Sequence, residues 1–398
     1  MDYKIVKKCR ACGSRKLKPY LDLGLKPLAN SYEVMRKFPL RVLFCKECCL
    51  SQLSVVVSPE LMFSNYPYHS SVSESFKSHC AKMARTAKRM SGEVAPSMVD
   101  IASNDGALLQ EFSNAGFYVM GVEPAKNLAD EANARGLDTL NEFFSQEAAE
   151  RLPAVRVMTA TNVLAHVDDL HGFLKAANSL LRKQHKSFLI VEVPYLYDLI
   201  TNNQFDTIYH EHLSYFLLKP LKKAFEACGL SIFKVERQKI HGGSLRVYAS
   251  PLGMHDETWS VREMMEFEKK AGMYSFAHYK KFSANIEKLG TSLNNLLATL
   301  KLAGKKVYAY GASAKGAMLI NNFRIDSRLV DFVVDDTPCK QGRFMPDSDI
   351  MIVDKGVLSR YKPDYILILA WNFAAEIMKK TKEIGSKYII PIPEVKVV

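Results

Sequence analysis

The feature that most constrains the fold of this chain is a buried strand, a loop of small residues, a helix and a second strand that ends in an acid. Residues 98–106 read MVDIASNDG and lead into the helical pattern ALLQEFSNAG, and residues 119–124 read VMGVEP. This order is typical of the nucleotide-binding half of a Rossmann-type sheet, in which a tight turn lets the backbone approach a ligand. Glu123, in the acidic position, could hold two ribose hydroxyl groups.

The loop of this unit favours one class of nucleotide cofactor. It is not a GxGxxG sequence, so it lacks the glycines that cradle a pyrophosphate. We therefore expect a ligand that contains adenosine without a pyrophosphate. This favours S-adenosylmethionine over NAD.

Further strands are predicted at 155–159 and 187–193, with a helix at 170–181 between them. Asn162 and His166 follow the first of these strands, at the edge where open α/β sheets bind ligands. A binding or catalytic role is therefore predicted for both side chains. A hydrogen-bonded structural histidine is the alternative for His166.

Two Cys-x-x-Cys pairs predict a zinc site near the amino terminus. Two such turns can direct four thiolates at one tetrahedral zinc ion, here Cys9, Cys12, Cys45 and Cys48. A closed four-cysteine site leaves no position for a substrate, so the metal is expected to be structural. Cys49 is adjacent to Cys48 and is an alternative fourth ligand.

A polar cluster lies in mid-chain, where residues 205–216 read FDTIYHEHLSYF. Tyr209, Glu211 and His212 are groups that move protons near neutral pH, which predicts an acid/base site. Two alternatives remain open from the residues alone. His210 and His212 would lie on one face of an extended segment and could bind a metal. The cluster could also be a hydrogen-bonded structural corner.

Two other polar segments are candidates for substrate contacts. The segment NYPYHSSVSES places Tyr66, Tyr68 and His69 where they could line a cleft, with a helix cap and linker as the alternative. The later segment HGGSLR has glycines before a strand, which permit close backbone approach. Its candidate residues are His241, Gly243 and Arg246. Arg246 could pair with a phosphate, although a plain hairpin turn fits as well.

The α/β pattern restarts at residue 305 with KKVYAYGASAKG and continues through VDFVVDD, DYILILAW and KYIIPIP. These runs predict a second, smaller α/β domain. Its first loop offers backbone N–H groups and Lys315, which suit an anion. The spacing is not that of a P-loop, so ATP is not implied.

Composition narrows the function class only in part. The chain has 398 residues, of which 48% are hydrophobic and 24% charged, as in ordinary globular proteins. Its net charge of +12 could suit nucleic-acid binding, but its basic residues are dispersed, and an anionic small substrate fits equally well. No apolar run approaches the ~20 residues that cross a bilayer, and the amino terminus lacks the apolar segment of a signal peptide. We expect a cytoplasmic protein.

Taken together, these segments resemble the nucleotide-sugar C-methyltransferases, which make branched-chain deoxysugars. The resemblance covers essentially the whole chain, and its motifs are the four-cysteine module, YHSSVSES, VDIASNDGALL, GVEP, NVLAHV, FDTIYHEHLSYF, HGGSLRVY, YGASAKG and VDDTPCKQGRFMP. It implies methyl transfer from S-adenosylmethionine to a ring carbon, C3, next to the ketone of a thymidine-diphosphate-linked 4-keto deoxysugar. We expect a monomer or small homo-oligomer without a nucleic-acid or membrane partner. An O- or N-methyltransferase is the alternative.

The resemblance also implies roles for residues by their position. The four cysteines of the two pairs match zinc ligands. The residues that match the S-adenosylmethionine site are Asp100, Ser103, Asn104, Gly106 and Glu123, to which we add Asn162. The residues that match the polar groups around the reacting carbon are Tyr68, His166, Tyr209, Glu211 and His212.

Within this polar group, we expect His212 to be the base and Glu211 to orient it or contact the sugar. Tyr209 and His166 are expected to donate to the keto oxygen, although exchanging the roles of the two histidines fits nearly as well. Ala102 stands where the family usually has glycine, and its methyl group is expected to be tolerated.

The expected fold class is α/β with four parts. A zinc-binding module at 1–70 precedes a Rossmann-like methyltransferase domain at 71–255. A helical connector at 256–302 leads to a C-terminal Rossmann-like domain at 303–398, which the resemblance implicates in holding the sugar nucleotide.

Overall fold

A computed structural model describes residues 2–32, 36–63 and 74–398 of the chain. It forms two compact units, each built from several segments of the chain. The first unit comprises Met1–Lys18, Leu43–Tyr197 and Leu213–Tyr274, and the second comprises Pro19–Val42, Asp198–His212 and Ser275–Val398. The two units therefore alternate along the sequence.

The secondary structure follows the predicted alternation of strands and helices. The strands are β1 (Tyr3–Ile5), β2 (Leu17–Pro27), β3 (Lys37–Cys45), β4 (Ser51–Leu53), β5 (Val55–Val57), β6 (Ser97–Ile101), β7 (Tyr118–Val122), β8 (Thr139–Leu140), β9 (Val157–Thr161), β10 (Phe188–Pro194), β11 (Ser214–Tyr215), β12 (Leu230–Gln238), β13 (Ser244–Pro251), β14 (Val307–Tyr310), β15 (Val333–Val334), β16 (Ile352–Val353), β17 (Tyr365–Ile368), β18 (Lys387–Ile390) and β19 (Lys396–Val397). The α-helices are α1 (Pro59–Phe63), α2 (Glu74–Ser91), α3 (Ala107–Asn114), α4 (Lys126–Ala134), α5 (Gln146–Arg151), α6 (Leu170–Leu181), α7 (Leu196–Thr201), α8 (Leu218–Ala227), α9 (Trp259–Lys270), α10 (Phe276–Leu302), α11 (Ala314–Phe323), α12 (Gly356–Tyr361) and α13 (Ala374–Thr381). Short 3-10 helices lie at Leu164–His166, Phe205–Thr207, Ile240–Gly242, Pro338–Lys340, Trp371–Phe373 and Lys382–Ile384. Among the described helices, none has the combination of length and apolar character that a membrane span requires.

A seven-stranded sheet organises the first unit, in the order β12-β13-β10-β9-β6-β7-β8. The strands from β10 to β8 are parallel, and β13 and β12 are antiparallel to their neighbours. The interior strand β10, FLIVEVP, is buried at every position but the last, which is typical of a strand covered by helices on both faces of the sheet. The predicted α/β fold is confirmed, and the carboxyl ends of its parallel strands form one edge.

The second unit contains a six-stranded sheet in the order β16-β15-β14-β17-β18-β19. All its pairs are parallel except the last. The long helix α10 buries one apolar face, formed by Tyr279, Phe282, Ile286, Leu289, Leu293 and Leu297. The predicted second α/β sheet is therefore present. This unit also includes Asp198–His212, which carries most of the polar mid-chain cluster.

The two Cys-x-x-Cys turns of the first unit have the same backbone conformation. The N–H of Gly13 donates to the Cys9 carbonyl at 2.8 Å, and the N–H of Cys49 donates to the Cys45 carbonyl at 2.9 Å. Gly13 and Cys49 both lie in the left-handed region, with φ of 71° and 68°. Each turn therefore presents its pair of cysteines in the same way.

The four predicted ligands converge at one point. Their sulfur atoms all lie within 4.8 Å of one another, and the Cys9–Cys48 and Cys12–Cys45 pairs are 3.4 and 3.6 Å apart. A tetrahedral zinc ion with Zn–S bonds of about 2.3 Å needs sulfur atoms roughly 3.8 Å apart. The donor set therefore fits zinc.

The choice between Cys48 and Cys49 predicts a difference in metal content. The Cys49 sulfur lies 3.5 Å from Lys219 Nζ and 3.9 Å from the Tyr274 carbonyl oxygen, apart from the four-cysteine group. We expect Cys48→Ser to lose bound zinc and to lower the Tm, because a structural zinc site contributes directly to folding. Metal analysis by mass spectrometry and thermal unfolding measure both effects. Cys49→Ser is the matched control and should retain zinc; loss of zinc in this variant alone would exchange the two assignments.

Gly106 at the start of α3 predicts a second, steric effect. Its φ is 79°, and an added Cβ would lie 2.5 Å from Leu137 Cδ1. Gly136 has the same φ of 79° but no atom within 4 Å of its Cβ position. Both alanine variants incur a left-handed backbone cost of about 1–3 kcal/mol. We expect Gly106→Ala to reduce the free energy of unfolding, measured with urea, by more than Gly136→Ala does. Equal losses would contradict the predicted steric contact.

Candidate functional site

Glu123 links two loops at the carboxyl edge of the first sheet. It follows β7, and its Oε2 accepts the N–H of Asn104 at 2.8 Å while its Oε1 accepts the N–H of Ala125 at 2.8 Å. Burial raises the pKa of Glu123, and these two N–H groups oppose the rise. Each carboxylate oxygen has a further lone pair, so the side chain is able to accept ribose hydroxyl groups.

Asp100 lies beside this link at the end of β6. Its Oδ1 accepts the Thr159 hydroxyl at 2.6 Å. Burial raises the pKa of Asp100 to about 7; the Thr159 hydrogen bond opposes the rise and the Glu123 charge adds to it. The edge therefore carries two buried carboxyl groups, which suit a ligand with hydroxyl groups and a positive charge.

The loop between β6 and α3 has an unusual backbone. Ala102, Asn104 and Gly106 all have left-handed φ, at 53°, 55° and 79°. A side chain at Ala102 is accommodated there at a conformational cost, because this region favours glycine. Ser103 is buried, and its hydroxyl faces Gly121. A Cβ added at Gly121 would lie 2.5 Å from Ser103 Oγ. Its contact with a cofactor remains a prediction.

Asn162 and His166 lie at the same edge, after β9. Asn162 has a left-handed φ of 59°, and its N–H donates to the Glu192 carbonyl at 2.8 Å. His166 is half-buried in a 3-10 turn, whose Ala165 carbonyl accepts the N–H of Leu213 at 2.7 Å. Burial lowers the pKa of His166 to about 4. Its imidazole is therefore neutral near pH 7.

The predicted substrate residues on β13 and in the turn before it lie in two different environments. His241 and Gly243 are half-buried in the turn before the strand, with left-handed φ of 55° and 118°. Arg246 is buried, and its Nε donates to Glu192 Oε2 at 2.9 Å. His79 Nε2 lies 2.9 Å from Glu192 Oε1. The Arg246 guanidinium therefore pairs with Glu192. A contact between Arg246 and a phosphate remains a prediction. Sequence reasoning does not identify His79, whose signal is its place in the helix after YHSSVSES.

In the second unit, His212 is held in one tautomer. Its Nδ1 lies 2.7 Å from the Thr207 carbonyl oxygen, which can only accept a hydrogen bond, so Nδ1 carries the proton. The Nε2 atom is therefore the acceptor in the neutral ring, and the Tyr209 hydroxyl donates to it at 3.1 Å. The centres of the Tyr209 and His212 rings are 4.2 Å apart. This arrangement presents a basic nitrogen beside a phenol.

The neighbours of His212 have different surroundings. Glu211 is buried, and Asn30 Nδ2 donates to its Oε1 at 2.6 Å. His210 Nε2 donates to the Phe38 carbonyl at 3.3 Å, and burial lowers the pKa of His210 to about 4. The two histidines thus have separate partners, and the metal-ligating group found among the described residues is the four-cysteine one. The metal alternative for this cluster is not supported, and Asn30 is a contact that the sequence does not reveal.

The edge of the second sheet repeats the link seen at Glu123. Asp335 follows β15, its Oδ2 accepts the N–H of Ala312 at 2.7 Å, and its Oδ1 accepts the N–H of Thr337 at 2.9 Å. Lys315 lies nearby in sequence on α11, half-buried, with Nζ 4.7 Å from the Trp371 ring centre. This edge therefore combines an acid, backbone N–H groups and a lysine.

Three predicted residues, Tyr66, Tyr68 and His69, lie outside the described part of the chain. Of the other predicted residues, three groups each lie together within one unit. The predicted cofactor residues lie at the edge of the first sheet, Tyr209, Glu211 and His212 lie together in the second unit, and the four cysteines form the zinc site.

Comparisons with known proteins identify three family models along the chain. Residues 9–63 match a model described as “Putative zinc binding domain”, residues 75–235 match “Methyltransferase domain”, and residues 239–393 match “C-methyltransferase C-terminal domain”. These matches agree with the four-cysteine site and the first sheet. They confirm S-adenosylmethionine and zinc as the cofactors.

A curated relative matches over nearly the full length. The C-methyltransferase NovU of Streptomyces niveus is 35% identical over 411 residues, which cover 99% of this chain and 97% of NovU. The CcbJ methyltransferase of Streptomyces caelestis is 11% identical with a TM-score of 0.35, covering 43% of this chain and 89% of its own. Magnesium protoporphyrin IX methyltransferase of Synechocystis PCC 6803 is 13% identical with a TM-score of 0.34, and the match covers 44% of this chain and 78% of that protein.

The full-length match carries the assignment, and the cysteine site and the first α/β sheet agree with it. The relative and the C-terminal family model are both described as C-methyltransferases. They favour C-methyl transfer over the predicted alternative of an O- or N-methyltransferase. The chain therefore belongs to the family of S-adenosylmethionine-dependent C-methyltransferases with a zinc-binding domain.

Proposed function

We propose that this C-methyltransferase acts on a ring carbon, C3, next to the ketone of a nucleotide-linked 4-keto deoxysugar. The observation that carries the proposal is the fixed tautomer of His212, which presents Nε2 as a base beside the Tyr209 hydroxyl. The same proposal includes a thymidine-diphosphate-linked sugar as the substrate. It also includes a cytoplasmic location and a monomer or small homo-oligomer.

The chemistry requires a base because a sugar carbon is not nucleophilic until a neighbouring ketone makes its C–H bond acidic. In the proposed reaction His212 Nε2 takes this proton, and the electron pair of the C–H bond moves toward the keto oxygen. The resulting imidazolium is stabilised by the Thr207 carbonyl, which already accepts from Nδ1. The enolate oxygen then needs hydrogen-bond donors, for which Tyr209 and His166 are proposed.

The environment of His166 favours the role of donor over that of base. With a pKa of about 4 its ring is neutral, keeps one N–H group and is a weak proton acceptor. Glu211, held by Asn30, is proposed to contact a sugar hydroxyl. The chain thereby divides proton removal and oxygen stabilisation between different side chains.

The methyl donor is proposed to bind at the Glu123 edge of the first sheet. Asp100, Asn104 and Glu123 would hold it, with Asn162 at the neighbouring strand end. Bound S-adenosylmethionine would supply an electrophilic methyl group. The buried carboxyl groups suit its positive charge and its ribose hydroxyls.

The nucleotide end of the substrate is proposed to bind at the Asp335 edge of the second sheet. Helix α11 begins there and is capped by Ser313, whose hydroxyl accepts the N–H of Gly316 at 3.1 Å. The helix N-terminus and Lys315 favour a negatively charged diphosphate. Asp335 provides an acceptor for hydroxyl groups, as Glu123 does in the first unit.

The proposed base predicts a specific loss of proton exchange. We expect His212→Asn to slow solvent-deuterium exchange at the carbon next to the ketone by about 100-fold or more, since general-base catalysis contributes this much. Exchange is measured by NMR with S-adenosylhomocysteine in place of the methyl donor. Cofactor affinity, measured by calorimetry, should stay unchanged.

The matched variant for this experiment is His166→Asn. We expect it to reduce methyl transfer while it retains measurable exchange, because it removes a donor and leaves the base in place. Unchanged exchange in His212→Asn together with its loss in His166→Asn would assign the base to His166.

The substrate class predicts where a labelled methyl group is found. We expect a panel of nucleotide-linked 4-keto deoxysugars, incubated with S-adenosylmethionine labelled with ¹³C in the methyl group, to give a new C–¹³CH₃ bond at C3. The corresponding sugars without the ketone should remain unlabelled because their C–H bond is not acidic. NMR of the products locates the label; a label on oxygen, or equal labelling of both series, would rule out the enolate route.

A further inference from the structure

Asp206 lies three residues before Tyr209 and has no described role in the proposed reaction. Its side chain is fully buried, and Trp371 Nε1 donates to its Oδ2 at 2.6 Å. Lys315 Nζ lies 4.7 Å from the centre of the same Trp371 ring. Burial of a carboxylate is unfavourable, and a buried ion pair is weak evidence of stabilisation. Stability alone therefore does not explain an acid at this position.

The segment around Asp206 is attached to the second unit at several points. The Phe205 ring packs against Phe323 of α11, with ring centres 4.8 Å apart. Asn203 Nδ2 donates to the Pro393 carbonyl at 3.1 Å. Together with the Trp371 contact, these interactions fix the 3-10 turn Phe205–Thr207 against loops and helices of the C-terminal sheet.

This turn contains the atom that orients the proposed base. Thr207 follows Asp206 directly, and its carbonyl accepts the Nδ1–H group of His212 at 2.7 Å. The nitrogen that carries the proton in a neutral imidazole is set by the hydrogen bond that the ring makes. A displaced Thr207 carbonyl would allow the proton to move to Nε2, which would then lose its basic lone pair.

We propose that Asp206, held by Trp371, is a positioning residue that fixes the Thr207 carbonyl and so keeps the His212 proton on Nδ1. This inference rests on the proposed role of His212 as the base. The charges agree with it. Burial raises the pKa of Asp206 to about 6, and the Lys315 charge and the Trp371 hydrogen bond oppose the rise. Asp206 is therefore ionised at pH 8, where it accepts most strongly from Trp371.

The test is Asp206→Asn, which keeps the size of the side chain and removes its charge. At pH 8 we expect deuterium exchange at the substrate carbon to fall by about 10–100-fold, as for other residues that orient a reacting group. The affinity for S-adenosylmethionine should not change. In ¹⁵N NMR of histidine-labelled protein, with the His212 signals assigned from His212→Asn, the neutral ring should change from the Nδ1–H form to a mixture with the Nε2–H form.

Trp371→Phe is the second variant, which keeps an aromatic ring and removes the donor to Asp206. It should shift the tautomer and the exchange rate in the same direction, and it tests the inference if Asp206→Asn does not fold. Asp331→Asn is the matched control. Asp331 is in the same unit, and its oxygens contact Lys301 at 2.8 Å and the N–H of Val307, at the amino end of β14, at 3.1 Å. This control should leave both readouts unchanged.

The outcomes separate this inference from the proposed function. If His212→Asn abolishes exchange while Asp206→Asn and Trp371→Phe leave exchange and tautomer unchanged, the positioning role is overturned and the base remains. A lower Tm without a change of tautomer also overturns it, because that result shows a purely structural role. If His212→Asn leaves exchange intact, the proposed base is wrong, and the tautomer measurement still decides whether Asp206 orients this ring.

Discussion

At the edge of each α/β sheet, the loops depend on a buried carboxylate that accepts one backbone N–H group on each of its oxygens. Glu123 does this in the first unit and Asp335 in the second. In each case one N–H belongs to the loop after the neighbouring strand, β6 or β14. The other belongs to the residue two positions after the acid. These groups would otherwise be left without partners at the end of a parallel sheet, and their pairing fixes both loops. A ligand that binds at such an edge meets loops that are already ordered, which reduces the entropy lost on binding.

The polar mid-chain cluster shows how neighbouring side chains of one type acquire different properties from their surroundings. His210 is buried against a backbone carbonyl and is kept neutral, whereas His212 donates from Nδ1 and keeps Nε2 for a partner with a hydroxyl group. The orienting acceptor of His212 is a backbone carbonyl instead of a carboxylate. A carbonyl fixes the tautomer without adding a full negative charge, so it does not stabilise the imidazolium as strongly as an acid would. The position of the backbone therefore matters more here than in a carboxylate–histidine pair.

Features that depend on local sequence were predictable, and those that depend on distant contacts were not. The strand-loop-helix order, the acid at Glu123 and the four cysteines are set by short-range periodicity and spacing, and the structure agrees with them. The Asp206–Trp371 hydrogen bond joins residues 165 positions apart, and Asn30 reaches Glu211 across 181 positions. No local pattern reports such pairs. The orientation of Cys49 was also not predictable, because it follows from a left-handed turn that glycine adopts in the other cysteine pair. The domain boundaries at 70, 255 and 302 remain predictions.

The alternation of the two units along the chain has a consequence for how this enzyme can be divided. The polypeptide passes from one unit to the other after residues 18, 42, 197, 212 and 274. A truncation after residue 274 would remove the C-terminal sheet and leave Asp198–His212 without Phe323, Trp371 and Pro393, which it contacts. Gene fusions that exchange the C-terminal part between relatives would likewise combine a histidine-bearing segment from one parent with the supporting tryptophan from another. Such recombinants should work best when the exchange transfers Pro19–Val42 and Asp198–His212 together with everything after Tyr274.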